Sequence, residues 1–102
     1  MIGGFTAYKV GNNYSVYVER SATQSEAEQY CNDLSMSLPD LDTLVEIRNA
    51  LPELLGYDCI RTSTTGLVNC TTDPYSSTYS HQDSTGDFND TNRHTLCVVN
   101  AD

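Results

Sequence analysis

Apolar and polar positions alternate over residues 5–20, and this period of two predicts β-strands. The alternation is interrupted at Gly11-Asn12-Asn13, whose residues tolerate the backbone angles of a tight turn. The apolar positions that carry the pattern are Tyr8, Val10, Tyr14, Val16 and Val18. The chain is therefore predicted to open with a β-hairpin.

The pattern then changes to a helical period. Thr23 and Glu26 have the spacing of a capping box, so a helix is predicted from about Gln24 to Leu34. Its apolar face consists of Ala27, Tyr30, Cys31 and Leu34, at the i, i+3, i+4 and i+7 positions.

A second helix is predicted to follow the Leu38-Pro39 step, with Asp40 as its N-cap. Pro52 limits its length, although one further turn before Gly56 fits the sequence. The stripe predicted to pack inward is Leu41, Leu44, Val45, Arg48 and Leu51.

The second half of the chain contains short strands and one long polar segment. Strands are predicted at 57–61 and 66–71 around a polar turn, and a last strand at 94–100. Residues 72–92 are predicted to form a polar loop, which in a compact domain is typically functional or disordered. The predicted fold class is α+β, with two helices packed on short antiparallel sheets in a single domain, residues 1–102.

Composition excludes several classes of function. Five basic and fourteen acidic residues give a net charge of −9, which opposes binding to nucleic acid and to anionic membrane surfaces. No apolar run reaches the length of a membrane span, and Met1-Ile2-Gly3-Gly4 has no signal-peptide character. We expect no direct membrane insertion, and we expect a mature domain excised from a larger secreted or surface protein.

Four cysteines in a chain of 102 residues predict a disulfide framework in an oxidising compartment. The alternative is a zinc site. Structural zinc sites pair their cysteines two to four residues apart. The nearest pair here, Cys59 and Cys70, is 11 residues apart. The spacing favours disulfides and an extracellular location, either secreted or displayed on the cell surface.

Three short motifs, read in this order of elements, resemble the C-type lectin-like domain. They are Ala27-Glu28-Gln29-Tyr30-Cys31, the Leu38-Pro39 step and Thr95-Leu96-Cys97-Val98-Val99. The most similar branch is that of the C-terminal lectin-like domains of bacterial intimin and invasin adhesins. The usual Trp-Ile-Gly strand motif of the family is absent. The resemblance implies a C-type lectin-like fold, a Cys31–Cys97 bridge, and Cys59–Cys70 as the second bridge.

The resemblance also points to a calcium site. Phe88-Asn89-Asp90 is similar to the Trp-Asn-Asp motif of the family, and Asp83 and Asp87 could add the oxygen ligands that calcium prefers. The companion Glu-Pro-Asn motif is absent, so a polar turn in an acidic loop is the alternative. The candidate calcium ligands are Asp83, Asp87, Asn89 and Asp90; no other cofactor is expected.

Aromatic residues in the same loop suggest a contact surface. Tyr75 and Tyr79 could bind a partner, or one of them could fold back into the core. His81 is predicted to lie in solvent and His94 beside the final strand, and neither has the partner that catalysis requires. The candidate ligand-binding residues are Tyr75, Tyr79, His81, Asp87, Asn89 and Asp90, and the chain is not expected to be an enzyme.

These observations support three hypotheses. The first is an adhesion or receptor-binding domain, of the kind found in bacterial virulence, that recognises a cell-surface protein or glycan through residues 72–92. The second is a calcium-dependent lectin that binds carbohydrate. The third is a structural or pilus-type assembly subunit. The sequence does not determine the ligand or the oligomeric state.

Overall fold

The computed structural model describes residues 1–18, 23–55, 59–71, 78–82 and 93–101. It is an α+β domain in which the hairpin and both helices form where the hydrophobic pattern predicts them. The elements are β1 (Ala7–Val10), β2 (Asn13–Tyr17), α1 (Gln24–Asp33), α2 (Leu41–Ala50), α3 (Pro52–Leu55), β3 (Cys59–Arg61), β4 (Leu67–Thr71), β5 (Thr78–Gln82), β6 (Arg93–His94) and β7 (Leu96–Asn100).

The first sheet has the antiparallel order β1-β2-β7, and β7 separates two cores. Cys97 lies opposite Val16 and joins the core under α1, whereas Leu96 and Val98 join the core under α2. Successive side chains of a strand point to opposite faces, so one strand can serve both helices. The free edge of β7 is closed by Ser37, which exchanges backbone hydrogen bonds of 3.0 and 2.8 Å with Val98.

The second sheet has the order β5-β4-β3-β6 and corrects two predictions. It is mixed, because β6 pairs with β3 in parallel, whereas short antiparallel sheets were expected. The predicted loop at 72–92 also contains a strand, since all five residues of β5 pair with β4. Its sequence, Thr-Tyr-Ser-His-Gln, has no hydrophobic alternation, so the sequence pattern does not predict a strand here. The strand is recognised only from its pairing with β4.

Helix α1 begins with the predicted capping box. Thr23 Oγ1 accepts the Glu26 N–H at 3.2 Å, and Glu26 Oε1 accepts the Thr23 N–H at 3.1 Å. Ala27 and Cys31 are fully buried, whereas Tyr30 and Leu34 pack at the edge of the same core. The helix ends before Ser35, which has a positive φ of 58°.

Helix α2 buries a slightly different stripe from the predicted one. Leu44, Ile47 and Arg48 are buried, while Leu41 and Val45 are half-buried. The helix is thus rotated toward Ile47, which sequence reasoning omitted. Pro52 begins the separate short helix α3, in agreement with the expected extra turn.

Asp40 caps α2 through its side chain, which accepts the Thr43 N–H at 2.8 Å. This backbone hydrogen bond, with a further contribution from the Thr43 side chain, lowers the pKa of Asp40 below its usual value of 3.8. Because the folded pKa is depressed, the stabilisation is complete above the unfolded pKa. It is lost as the pH falls through the folded pKa.

We expect Asp40→Asn, which keeps a good N-cap but carries no charge, to be slightly less stable than the wild type at about pH 6. The difference should be a few tenths of a kcal/mol, because the carboxylate is largely exposed, and it should vanish near pH 2. Asp40→Ala should cost about 1 kcal/mol at pH 6 because the cap itself is lost. Thermal melting across this pH range measures both; a wild-type advantage that is independent of pH would contradict the assignment.

Two disulfides connect the elements. Cys31 on α1 is bonded to Cys97 on β7, 66 residues away, and Cys59 on β3 is bonded to Cys70 on β4, 11 residues away. This is the pairing that the resemblance implies. The first bond joins an early helix to the last strand, and the second closes the β3–β4 hairpin beside β5.

Candidate functional site

Strand β5 presents two of the predicted contact residues on one face. Tyr79 and His81 are two residues apart, so both side chains leave the same side of the strand. Tyr79 is 50% exposed, one of the largest exposed apolar groups among the described residues, and His81 is also exposed. An aromatic ring and an imidazole thus lie side by side at the edge of the second sheet.

Strand β5, which carries this pair, lies beside β4, and β4 is held by a disulfide and by buried polar groups. Tyr79 lies opposite Cys70, whose disulfide crosses to β3, and His81 lies opposite Val68. The Asn69 side-chain amide also donates to the Tyr79 carbonyl at 3.3 Å. The Tyr79 backbone is therefore fixed from the adjacent strand, which reduces the entropy lost when the ring binds a partner.

The same amide is connected to a buried cation. Arg48 is only 2% exposed; its Nε donates to Asn69 Oδ1 at 2.6 Å and its Nη2 to the Asn69 carbonyl at 2.8 Å. Asn69, on β4, thus connects the Arg48 side chain of α2 to the Tyr79 backbone of β5. Arg48 was predicted to lie on the packing face of α2, but its position beneath the candidate site could not be read from the helical pattern.

The remaining predicted site residues lie outside the described ranges. They are Tyr75, Asp83, Asp87, Asn89 and Asp90. The calcium site and the ligand-binding roles of these five residues therefore stay predictions. In the part of the chain that the structure describes, no group of three His, Cys, Asp or Glu side chains is arranged to hold a metal ion.

His94 lies on β6, immediately before the final strand, as expected. Its Nδ1 is 3.1 Å from the Tyr17 hydroxyl, and the two rings are stacked with their centroids 6.3 Å apart. The contact joins the first sheet to the second. His94 therefore has a structural role between the sheets, whereas His81 faces solvent.

Sequence reasoning missed a polar groove beside α1. One wall is the face of α1, the other is the segment 36–38, and the β3–β4 turn closes one end with Ser63. The groove has a volume of about 450 Å³, within the range of small-molecule pockets. Its lining residues are Ser25, Glu28, Gln29, Asn32, Met36, Ser37, Leu38 and Ser63. The periodicity of Ser25, Glu28, Gln29 and Asn32 could have indicated one polar face, but not the opposing wall.

Gln24, at the start of α1, organises one side of this groove. Its Oε1 accepts from Arg61 Nη1 and from the Gly66 N–H, each at 3.4 Å. Its Nε2 donates to the Thr62 carbonyl at 3.1 Å and to Glu28 Oε2 at 3.2 Å. The buried amide thus uses both lone pairs and both hydrogens, and it ties the Glu28 carboxylate to the β3–β4 turn.

Within the described ranges, no helix is both long enough and apolar enough to cross a membrane. Comparison of the chain with family models, with curated proteins and with solved structures returns no match.

Proposed function

We propose that this chain is an extracellular recognition domain of the C-type lectin-like type, similar to the C-terminal domains of intimin and invasin adhesins. It binds a cell-surface protein or glycan and has no catalytic role. The contact surface is β5 together with the surrounding segment 72–92. The observation that carries the proposal is the half-exposed Tyr79 ring beside His81 on β5, which pairs with the disulfide-bonded strand β4.

Three physical features support this assignment. Tyrosine provides a large amphipathic contact area at a small entropic cost, and aromatic residues of this kind dominate the affinity of many interfaces. Two disulfides in a small domain are typical of oxidising, extracellular compartments. A net charge of −9 disfavours nucleic acid and anionic lipid as partners.

Tyr79→Ala is expected to weaken binding at least tenfold, because it removes the exposed aromatic contact. The melting temperature should stay within about 2 °C of the wild type, since the ring is half in solvent. Labelled domain would be applied to cultured epithelial cells and to a glycan array, each with and without calcium. These measurements locate the binding surface and test its dependence on metal.

Tyr14→Ala is the matched control. Tyr14 is 38% exposed and also lies on a strand, but that strand, β2, belongs to the other sheet. The Tyr14→Ala variant should bind as the wild type does. Equal binding by Tyr79→Ala and the wild type would refute the surface. Binding that required calcium would instead favour the lectin hypothesis based on Asn89 and Asp90.

A further inference from the structure

The groove beside α1 contains a carboxylate that is already held in place. Gln24 is only 5% exposed and donates to Glu28 Oε2, while Arg61 and Gly66 fix the Gln24 amide from behind. Among the described residues, Glu28 Oε1 has no hydrogen-bond donor. A ligand that binds Oε1 therefore meets an acceptor whose orientation is largely preset.

The groove has a negative character. No Lys, Arg or His is found among the described residues that line it. Two of the five basic residues of the chain, Arg48 and Arg61, are buried and do not line the groove. In a chain with a net charge of −9, the fixed Glu28 carboxylate attracts cations and repels anions.

The arrangement of acceptors favours an ammonium group over a guanidinium group. A guanidinium binds best when both oxygens of a carboxylate accept in parallel, so it would have to share Glu28 Oε2 with Gln24, whereas an ammonium group can bind Oε1 alone. An ammonium group is compact and has three donors. Glu28, Asn32, Ser37 and Ser63 all line the same groove, and each has a side-chain oxygen that can accept a hydrogen bond.

The wall formed by the segment 36–38 suits the rest of a lysine side chain. Met36 and Leu38 line it and are almost fully buried, so they offer a small apolar surface. Lysine places its methylene stem along such a surface while its charged end stays among polar groups. Gln29 is oriented by its Nε2, which donates to Asp33 Oδ1 at 2.6 Å.

We infer that this groove is a second recognition site, which receives a lysine side chain of a partner protein on Glu28. The inference rests on the proposed recognition function for its biological meaning. It does not depend on Tyr79, because the groove lies against α1 and the Tyr79 ring lies on β5. Among the described residues, one contact between the two regions is the hydrogen bond that Gln82 Nε2 on β5 donates to the Thr65 carbonyl in the β3–β4 turn at 3.3 Å.

The test uses a blocked glycine pentapeptide with one central lysine, titrated into isotopically labelled whole domain and followed by NMR. The backbone amides of Glu28, Asn32 and Ser63 should shift in a saturable way. The same peptide with norleucine in place of lysine should leave them unchanged. Higher salt should weaken the binding of the lysine peptide, because the charge of Glu28 is exposed and is screened by ions in the solvent.

Glu28→Gln retains a group that can accept from Gln24 but removes the negative charge, so affinity should fall about tenfold. Glu46→Gln is the matched control, since it makes the same change on α2 away from the groove, and it should bind normally. Shifts that map elsewhere, equal binding of the norleucine peptide, or unchanged affinity in Glu28→Gln would each overturn the inference.

The Tyr79→Ala variant separates the two proposals. It should bind the lysine peptide as the wild type does, even though it loses binding to cells. Loss of peptide binding in Tyr79→Ala would refute the groove as the lysine site. Failure of Tyr79→Ala to affect cell binding, with the Glu28 effect intact, would refute the β5 surface and leave the groove standing.

Discussion

Replacing Cys31 and Cys97 together by alanine is expected to leave the domain largely unfolded at about 37 °C. The bond closes a loop of 66 residues, and the chain-entropy estimate of its contribution is about 4 kcal/mol. Both cysteines are also fully buried in the core under α1, so their sulfurs contribute packing that alanine does not replace. Small domains have total stabilities of about 5–15 kcal/mol, and this loss takes a large part of that range.

The matched variant is Cys59→Ala with Cys70→Ala. That bond closes a loop of only 11 residues, so the expected loss is about 3 kcal/mol and the fold should persist at room temperature. Urea unfolding followed by circular dichroism would give the free energy of unfolding of each variant and so rank their stabilities. A Cys31/Cys97 variant that is as stable as the Cys59/Cys70 variant would show that the tie between α1 and β7 does not dominate stability.

Asn69→Ala is expected to cost about 3 kcal/mol, as much as loss of the Cys59–Cys70 bond. The substitution removes Oδ1 as an acceptor for the buried Arg48 guanidinium and removes the donor to the Tyr79 carbonyl. Hydrogen bonds to charged groups contribute about 1.5–3 kcal/mol, and a buried cation that loses one of its partners is costly. Because Asn69 also fixes β5, we expect faster hydrogen exchange at the Tyr79 amide.

A double-mutant cycle tests whether the two residues act together. Arg48→Met removes the buried charge, so Asn69→Leu should cost less on that background than it does in the wild type. The expected coupling is about 1–3 kcal/mol, measured by urea unfolding. Additive effects would show that Arg48 and Asn69 stabilise the domain independently.

Thr71→Val controls for burial on the same strand. The Thr71 hydroxyl is buried, yet it has no hydrogen-bond partner among the residues that the structure describes. Replacing an unpaired buried hydroxyl by a methyl group of similar shape should be neutral or slightly stabilising. A loss of stability as large as that of Asn69→Ala would indicate general sensitivity of β4 rather than a specific effect of the Arg48–Asn69 pair.

These polar contacts connect stability to the proposed recognition. The surface around Tyr79 lies on an edge strand with little hydrophobic character of its own, so its order depends on β4. The Cys59–Cys70 bond and Asn69 supply that order from the adjacent strands. Weakening either support should reduce binding through loss of preorganisation, without any change at the contact residues themselves.

Part of the candidate site was predictable from sequence. The polar, tyrosine-bearing character of 72–92 pointed to Tyr79 and His81, and both are exposed. What sequence could not show is that they share one face of a strand, because β5 has no periodic pattern. The groove was not predicted at all, since it is completed by Ser63, which is distant in sequence from α1 and the adjoining 36–38 segment.

Elements whose signals are local can be read from the amino-acid sequence alone. Three such elements are the hairpin turn, the Thr23–Glu26 capping box and the Asp40 cap. Each depends on residues within a few positions of one another, so its pattern can be recognised without knowing the fold. Pairing across long separations had to be decided by the tertiary structure. The parallel contact of β6 with β3 and the burial of Gln24 against Arg61 and Gly66 depend on which distant segments meet. A buried polar group is stabilised only by the partners that the folded chain brings to it.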